Sequence, residues 1–278
     1  MSIFLFTILI FLTSFLAGLL GALTGLGGGV VIVPALVLLF KVDLRYAMGA
    51  SLVSVIATSS GAAAAYVKEG LSNIRIGMFL EVATTVGALL GAYLTAKISS
   101  HSIALIFGAV LLYSAYTSFR GRTRDKIVTK ENPLSTSLQL SGTYPTPDGP
   151  ERYHAQHVPL GFGIMLGAGM LSGLLGIGSG AVKVLAMDQA MGLPFKVSTT
   201  TSNFMIGVTA AASAGIYLAR GYIDAGIAMP VVLGVLIGSM IGSKLLVKAR
   251  VATLKVVFGL VIVALGFEMI FSGITGRI

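Results

Sequence analysis

The sequence predicts an all-α integral membrane protein built from two inverted repeats of about five membrane segments each, and three observations carry that expectation. Apolar residues fill 55% of the 278 positions and charged residues 10%, with a mean hydropathy of +0.95, outside the range of soluble domains. Apolar runs of membrane-spanning length recur along the chain. A glycine cluster, Gly25, Gly27, Gly28 and Gly29, has a counterpart 151 positions later in Gly176, Gly178, Ser179 and Gly180.

A hydrocarbon core of about 30 Å takes roughly 20 helical residues to cross. Runs of that kind cover residues 3–23, 46–67, 74–96 and 103–119, then 159–175, 197–219, 225–247 and 251–271. No basic segment precedes the first run, which continues into the glycine cluster, so it is expected to be a retained span and not a cleaved signal. The runs that follow the glycine clusters, 30–40 and 181–191, are different. At about 1.5 Å per residue they reach some 16 Å, about half the membrane.

The offset of 151 holds without gaps over most of each half: Gly18 meets Gly169, Ser51 meets Ser202, Thr58 meets Thr209, Tyr66 meets Tyr217, Gly87 meets Gly238 and Lys97 meets Lys248. The domains are therefore a first transmembrane repeat (1–119), a polar linker (120–158) and a second repeat (159–278). If each glycine turn only interrupts one span, the halves are parallel and the basic residues divide almost evenly between the two faces. If the turn separates two segments, each half has five and the halves are inverted. Lys68, Arg75, the basic run 120–130, Arg152, Lys196, Lys244, Lys248, Arg250 and Lys255 then share one face, leaving Lys41, Arg45, Lys97, Arg220 and Arg277 on the other. The positive-inside rule selects this second arrangement, with both termini outside and the linker cytoplasmic. The linker, with Pro133, Pro145, Pro147 and Pro150, reads as partly disordered.

A helix that starts just after a glycine turn presents N–H groups without intrahelical partners, and its dipole favours a nearby negative charge. Two such ends facing the interior make a candidate anion site of Gly25, Gly27, Gly28, Gly29, Gly178, Ser179 and Gly180. The alternative is that the glycines only permit close helix crossing, the preferred reading for Gly87, Gly91, Gly238 and Gly242. Hydroxyls and an amide supply further donors: Thr24, Ser51, Thr201, Ser202 and Asn203 are candidates. Ser198 and Thr199 are equally explained as helix caps. Lys183 and Asp188 lie in the second short run, where the first has apolar residues. Lys183 offers positive charge to the anion or snorkels along its helix. Asp188 is a candidate proton carrier or simply meets water. Glu81 and Glu268 are expected near span ends, at the interface.

With no cysteine the chain holds no disulfide and no thiol chemistry. His154 and His157 read as loop residues, and no metal cluster, Ser-His-Asp arrangement, P-loop or cofactor motif is present, so neither an enzyme nor a cofactor is expected. The net charge of +9 is spread over short loops, a pattern of topology and anionic lipid contact, not of nucleic-acid binding.

Gly25, Gly27, Gly28 and Gly29, continuing to Val33, Pro34 and Leu36, together with Gly173, Gly176, Gly178, Ser179 and Gly180, resemble the TauE/SafE sulfite exporter family. The segments Ala47 to Ser51 and Ser198 to Ser202 are similar to the small, hydroxyl-bearing stretch after each turn in that family. The resemblance covers nearly all of both halves but not the linker. It implies a secondary transporter in the cell membrane that moves sulfite or small organosulfur anions, with a small anion and the bilayer as partners. Ser179 in place of a glycine, Leu185 opposite Pro34, and Lys183 at an apolar position depart from the pattern. The alternatives are a carrier of a metal cation or polyamine, or a membrane sensor or anchor.

Overall fold

The structure, a computed structural model, describes residues 2–24, 28–68, 72–119, 133–146, 149–246 and 251–278. Eight long helices match the eight apolar runs: α1 (Ile3–Thr24), α3 (Leu44–Lys68), α4 (Ile74–Leu94), α5 (Ser100–Phe119), α7 (Val158–Leu175), α9 (Phe195–Ala219), α10 (Ala225–Leu246) and α11 (Val251–Thr275). The short pieces are α2 (Gly29–Phe40) and α8 (Gly180–Leu185), and α6 (Pro133–Ser137) lies in the linker. Among the described residues, five helices are by themselves long and apolar enough to cross a membrane, α1, α4, α7, α9 and α10.

Helix starts follow local chemistry at equivalent places in the two halves. Asn73 caps α4, its Oδ1 accepting from the Ile76 N–H at 3.1 Å, and Asp224, 151 positions on, accepts from the Ile227 N–H at 3.1 Å at the start of α10. Each cap satisfies an N–H that the first turn leaves over.

The bundle is held by exchange between the halves. Helix α1 packs on α10 and α7 on α4, while α3 packs on α9 and α5 on α11. A Cβ added at Gly87 would land on the Leu166 carbonyl and the Met170 nitrogen, and one at Gly238 on the Phe15 carbonyl and the Leu19 nitrogen. These are the same positions displaced by the repeat offset. The scattered glycines thus do permit close crossing, as the sequence indicates. The α5 and α11 helices run antiparallel, Leu105 lying against Gly273 and Leu112 against Gly266, as do α3 and α9, with Ser59 at Gly207 and Gly49 at Tyr222.

This packing gives a test of its own. Gly87→Val is expected to destabilise the protein by about 2 kcal/mol through overpacking, whereas Gly163→Ala, with nothing within 4 Å of the new methyl, should not lower the thermal midpoint of the detergent-solubilised protein.

Charged groups gather at the two ends of α4. At its C-terminal end the Arg220 guanidinium donates to the carbonyls of Ala92 and Tyr93, Arg45 donates to the Ile98 carbonyl, and Lys97 sits over the Tyr93 ring. At its N-terminal end Arg75 donates to Gln139. Part of the linker is ordered there. Residues Ser141–Thr146 and Gly149–His154 pair as an antiparallel hairpin, because Tyr153, 2% exposed, packs its ring inward and accepts from Asn73 Nδ2 at 2.9 Å. That burial pushes the Tyr153 phenol above its ordinary pKa. The basic run 120–130 and the residues Lys248 and Arg250 lie outside the described residues.

Candidate functional site

The two glycine motifs meet at the centre of the bundle. Helix α2 begins at Gly29, where a Cβ would stand 2.7 Å from Ser51 Oγ, 2.9 Å from Val55 Cγ2 and 3.5 Å from the Cα of Ile177 in the other motif. Only a glycine allows this approach. In the second motif the chain leaves α7 through Gly176 (φ +69°) and Gly178 (φ +72°) and enters α8 through Ser179 (φ +47°). A Cβ on Gly178 would be 2.8 Å from Ile206 Cγ2 and 3.2 Å from Val55 Cγ1. Val55 and Ile206 are repeat mates, so Gly178 is wedged between equivalent positions of α3 and α9.

The turns differ in detail. Gly28, the mate of Ser179, is right-handed at φ −66°, so Ser179 holds a left-handed conformation that its counterpart does not need. The second short segment is not one α-helix either. It passes into a π-helical turn, Ala186–Ala190, which carries Asp188, half-buried.

Hydroxyls fasten the second turn. Ser51 Oγ donates to the Gly176 carbonyl at 2.8 Å, and Ser202 Oγ donates to the Gly180 carbonyl at 3.3 Å. Ser179 Oγ is buried and has no hydrogen-bond partner among the described residues. Thr201 lies toward a different neighbour: its Oγ1 accepts from the Asn73 N–H at 3.0 Å, tying α9 to the start of α4. Asn203 is half-buried on α9. Gly25 and Gly27 lie outside the described residues, and of Thr24 the backbone alone is described, as the last residue of α1. The structure therefore brings Gly28, Gly29, Ser51, Gly178, Ser179, Gly180 and Ser202 together, and turns Thr201 toward Asn73 instead.

Lys183 sits one turn into α8 and is 0% exposed. Its Nζ donates to Thr209 Oγ1, and the Thr209 hydroxyl donates to Glu81 Oε1 at 2.7 Å. Thr85 Oγ1 also donates to Glu81 Oε1, at 3.2 Å. The expectation of an interfacial Glu81 is thus corrected: it is 8% exposed and joined through one hydroxyl to a buried lysine. The reason is depth. Seven residues beyond Ile74, at about 1.5 Å each, Glu81 stands some 10 Å inside the helix end. That rise was the available signal, together with the rule that charges inside spans pair with one another. Thr209 gives no signal of its own, since a threonine in a span ordinarily bonds back to its own helix. It also reaches the Met205 carbonyl at 2.9 Å. Glu268, by contrast, is exposed on α11.

The cluster breaks the symmetry of the repeat. The mates of Lys183, Glu81 and Thr209 are Ile32, Val232 and Thr58, so the two charges, one from each half, have apolar counterparts. Beside α8 a crevice of about 340 Å³ opens toward α5 and α7, lined by Tyr113, Ile164, Val182, Leu185 and Gln189. None of the glycine-turn residues lines it. Among the described residues no group of three or more metal-ligating side chains occurs.

Relatives carry the same length of chain. A probable membrane transporter protein of Bacillus subtilis, YunE, is 27% identical over 97% of this chain and 98% of its own. A second from the same organism, YdhB, is 27% identical over 85% and 89%. A probable membrane transporter of Haemophilus influenzae is 27% identical over 96% and 98%. No solved structure matches the chain. The family model described as sulfite exporter TauE/SafE matches residues 10–269, through both halves and the linker, and the chain belongs to that family.

Proposed function

We propose that this protein is a secondary transporter that moves sulfite or a small organosulfur or sulfonate anion across the cytoplasmic membrane, exporting it by alternating access. The observation that carries the reading is Lys183: a cation with 0% exposure, one turn beyond Gly180 in the short helix that leaves the second glycine turn. Glu81 balances this ammonium through Thr209 in the empty site, and the adjacent turn adds Ser179 Oγ, which has no hydrogen-bond partner among the described residues, so a cation and an open donor stand side by side for an incoming anion. The anion is held between the two motifs by the backbone after Gly25, Gly27, Gly28 and Gly29 and after Gly178, Ser179 and Gly180. Lys183 offsets its charge, and Thr24 and Asn203 add hydrogen bonds. Ser51 and Ser202 keep the turn in place, while Thr201 ties α9 to the start of α4 through Asn73.

Two inverted repeats give such a carrier its two access states. The antiparallel packing of α5 on α11 and of α3 on α9, each pair being repeat mates, supports the inversion. The excess of basic residues on the face of Lys68, Arg75, the run 120–130, Arg152, Lys196, Lys244, Lys248, Arg250 and Lys255 over that of Lys41, Arg45, Lys97, Arg220 and Arg277 supports external termini and a cytoplasmic linker.

Sulfite uptake into proteoliposomes is the test. Saturable flux above that of empty liposomes is expected; its absence at any concentration removes the reading. Competition by diamines or divalent metals, without effect of sulfite, would favour a cation carrier instead.

A further inference from the structure

The carrier reading uses Lys183 and leaves Glu81 without a task. Holding a carboxylate inside a span is costly, and such groups mark ion and proton pathways by default. Glu81 and Lys183 are joined through Thr209, and their charges attract. With the site empty, ammonium and carboxylate cancel. An anion added at Lys183 leaves one negative charge unbalanced, and a proton added to Glu81 leaves one positive charge unbalanced. Only the empty site and the site holding both are neutral. Reorienting a net charge through a low-dielectric interior is strongly disfavoured, so the half-loaded forms are the ones that cannot complete a cycle.

We infer that Glu81 is the proton-coupling carboxyl of this carrier, taking up one proton with each singly charged anion so that the two cross together. The inference rests on the anion-carrier reading. The proton comes from water on the side to which the site is open and binds a Glu81 carboxylate oxygen. Oε2 is available, having no hydrogen-bond partner among the described residues. The proton returns to water on the far side when the anion leaves. Direction then follows the combined gradients, and export proceeds where the internal anion concentration outweighs the proton gradient.

The surroundings leave few rivals for the role. Helix α7, packed against α4, carries no titratable residue. Helix α9 carries Lys196 at its exposed start and Tyr217, whose hydroxyl donates to the Gly173 carbonyl. Arg75 and Tyr93 lie at the two ends of α4 itself, and Asp188 lies on the π-helical turn beyond Lys183. The repeat-equivalent positions are Ile32 and Val232, so a charge-balanced pair exists once per chain at this register.

The test uses labelled sulfite and the intact protein in proteoliposomes. Exchange against internal unlabelled sulfite is measured without a pH difference, and net uptake is measured after an acid step outside. The wild type is expected to show both, with net uptake raised at least about fivefold by the step, the lower end of ordinary site-to-site coupling, and abolished by a protonophore. Glu81→Gln should lose the response to the step. Sulfite speciation is common to both proteins, so the difference between them reports on Glu81. Glu81→Asp should keep a response at a displaced pH midpoint, because its carboxyl is one methylene short of Thr209; this variant decides the matter if Glu81→Gln does not fold. Wild-type exchange with no response to the step overturns the coupling while leaving the carrier intact. Absence of exchange overturns both. A response that survives Glu81→Gln, an Asp variant with an unmoved midpoint, or coupling lost in Asp188→Asn but kept in Glu81→Gln likewise overturns the assignment.

Discussion

Replacing Lys183 with Ile and Glu81 with Val together is expected to leave the protein folded and to abolish anion transport. The chain itself supplies the precedent, since Ile32 and Val232, one in each half, occupy the repeat-equivalent positions. Replacing a buried ion pair with apolar groups of similar size is often neutral or stabilising, whereas removing one partner strands a buried charge. Lys183→Ile alone should therefore cost about 3 kcal/mol or somewhat less, because Glu81 can take up a proton to relieve its stranded charge. Thermal unfolding of the two singles and the double forms a mutant cycle, with recovery of stability in the double as the expected result. A double variant that folds and still carries sulfite would show that the positive charge is not used. A double less stable than either single would show that the cluster is held by contacts other than the ion pair.

The second large effect is expected at Gly178. Its backbone is left-handed at φ +72°, which costs an L-residue about 1–2 kcal/mol, and a Cβ there would lie 2.8 Å from Ile206 Cγ2. Gly178→Ala therefore combines backbone strain with overpacking, together about 3 kcal/mol. It should lose flux because α3 and α9 must part to admit the new methyl. Gly221 separates the two contributions. It has the same φ of +72° with nothing within 4 Å of an added Cβ, so Gly221→Ala carries the strain alone and should retain transport. Equal loss of thermal stability in the two variants would mean that the crossing at Gly178 has room after all. Undiminished sulfite flux in Gly178→Ala would place the anion path elsewhere.

Much of this was legible in the chain because membrane segments obey local rules. Eight apolar runs became eight long helices, since the bilayer leaves a backbone little choice but to satisfy its hydrogen bonds within the segment. The repeat offset of 151 also carried through to three dimensions: Gly87 and Gly238 seat against equivalent backbone atoms of α7 and α1. The linker shows what tertiary packing adds. Proline and polar composition suggest partial disorder over 120–158, and within it Tyr153 finds a buried seat against Asn73 that no pattern inside the linker encodes.

Hydropathy, length and conformational freedom within short stretches are enough to read the long helices, the fixed register of the two halves and the left-handed second glycine turn. Tertiary structure decided which side chains share the centre. It turned Thr201 toward Asn73, used Ser51 to fasten Gly176, and placed Glu81 beside Lys183 through Thr209, three residues from three helices and more than 100 positions apart at the widest. Their pairing follows from the cost of isolated charge in a low-dielectric interior, a cost that acts only once packing has excluded water from all three.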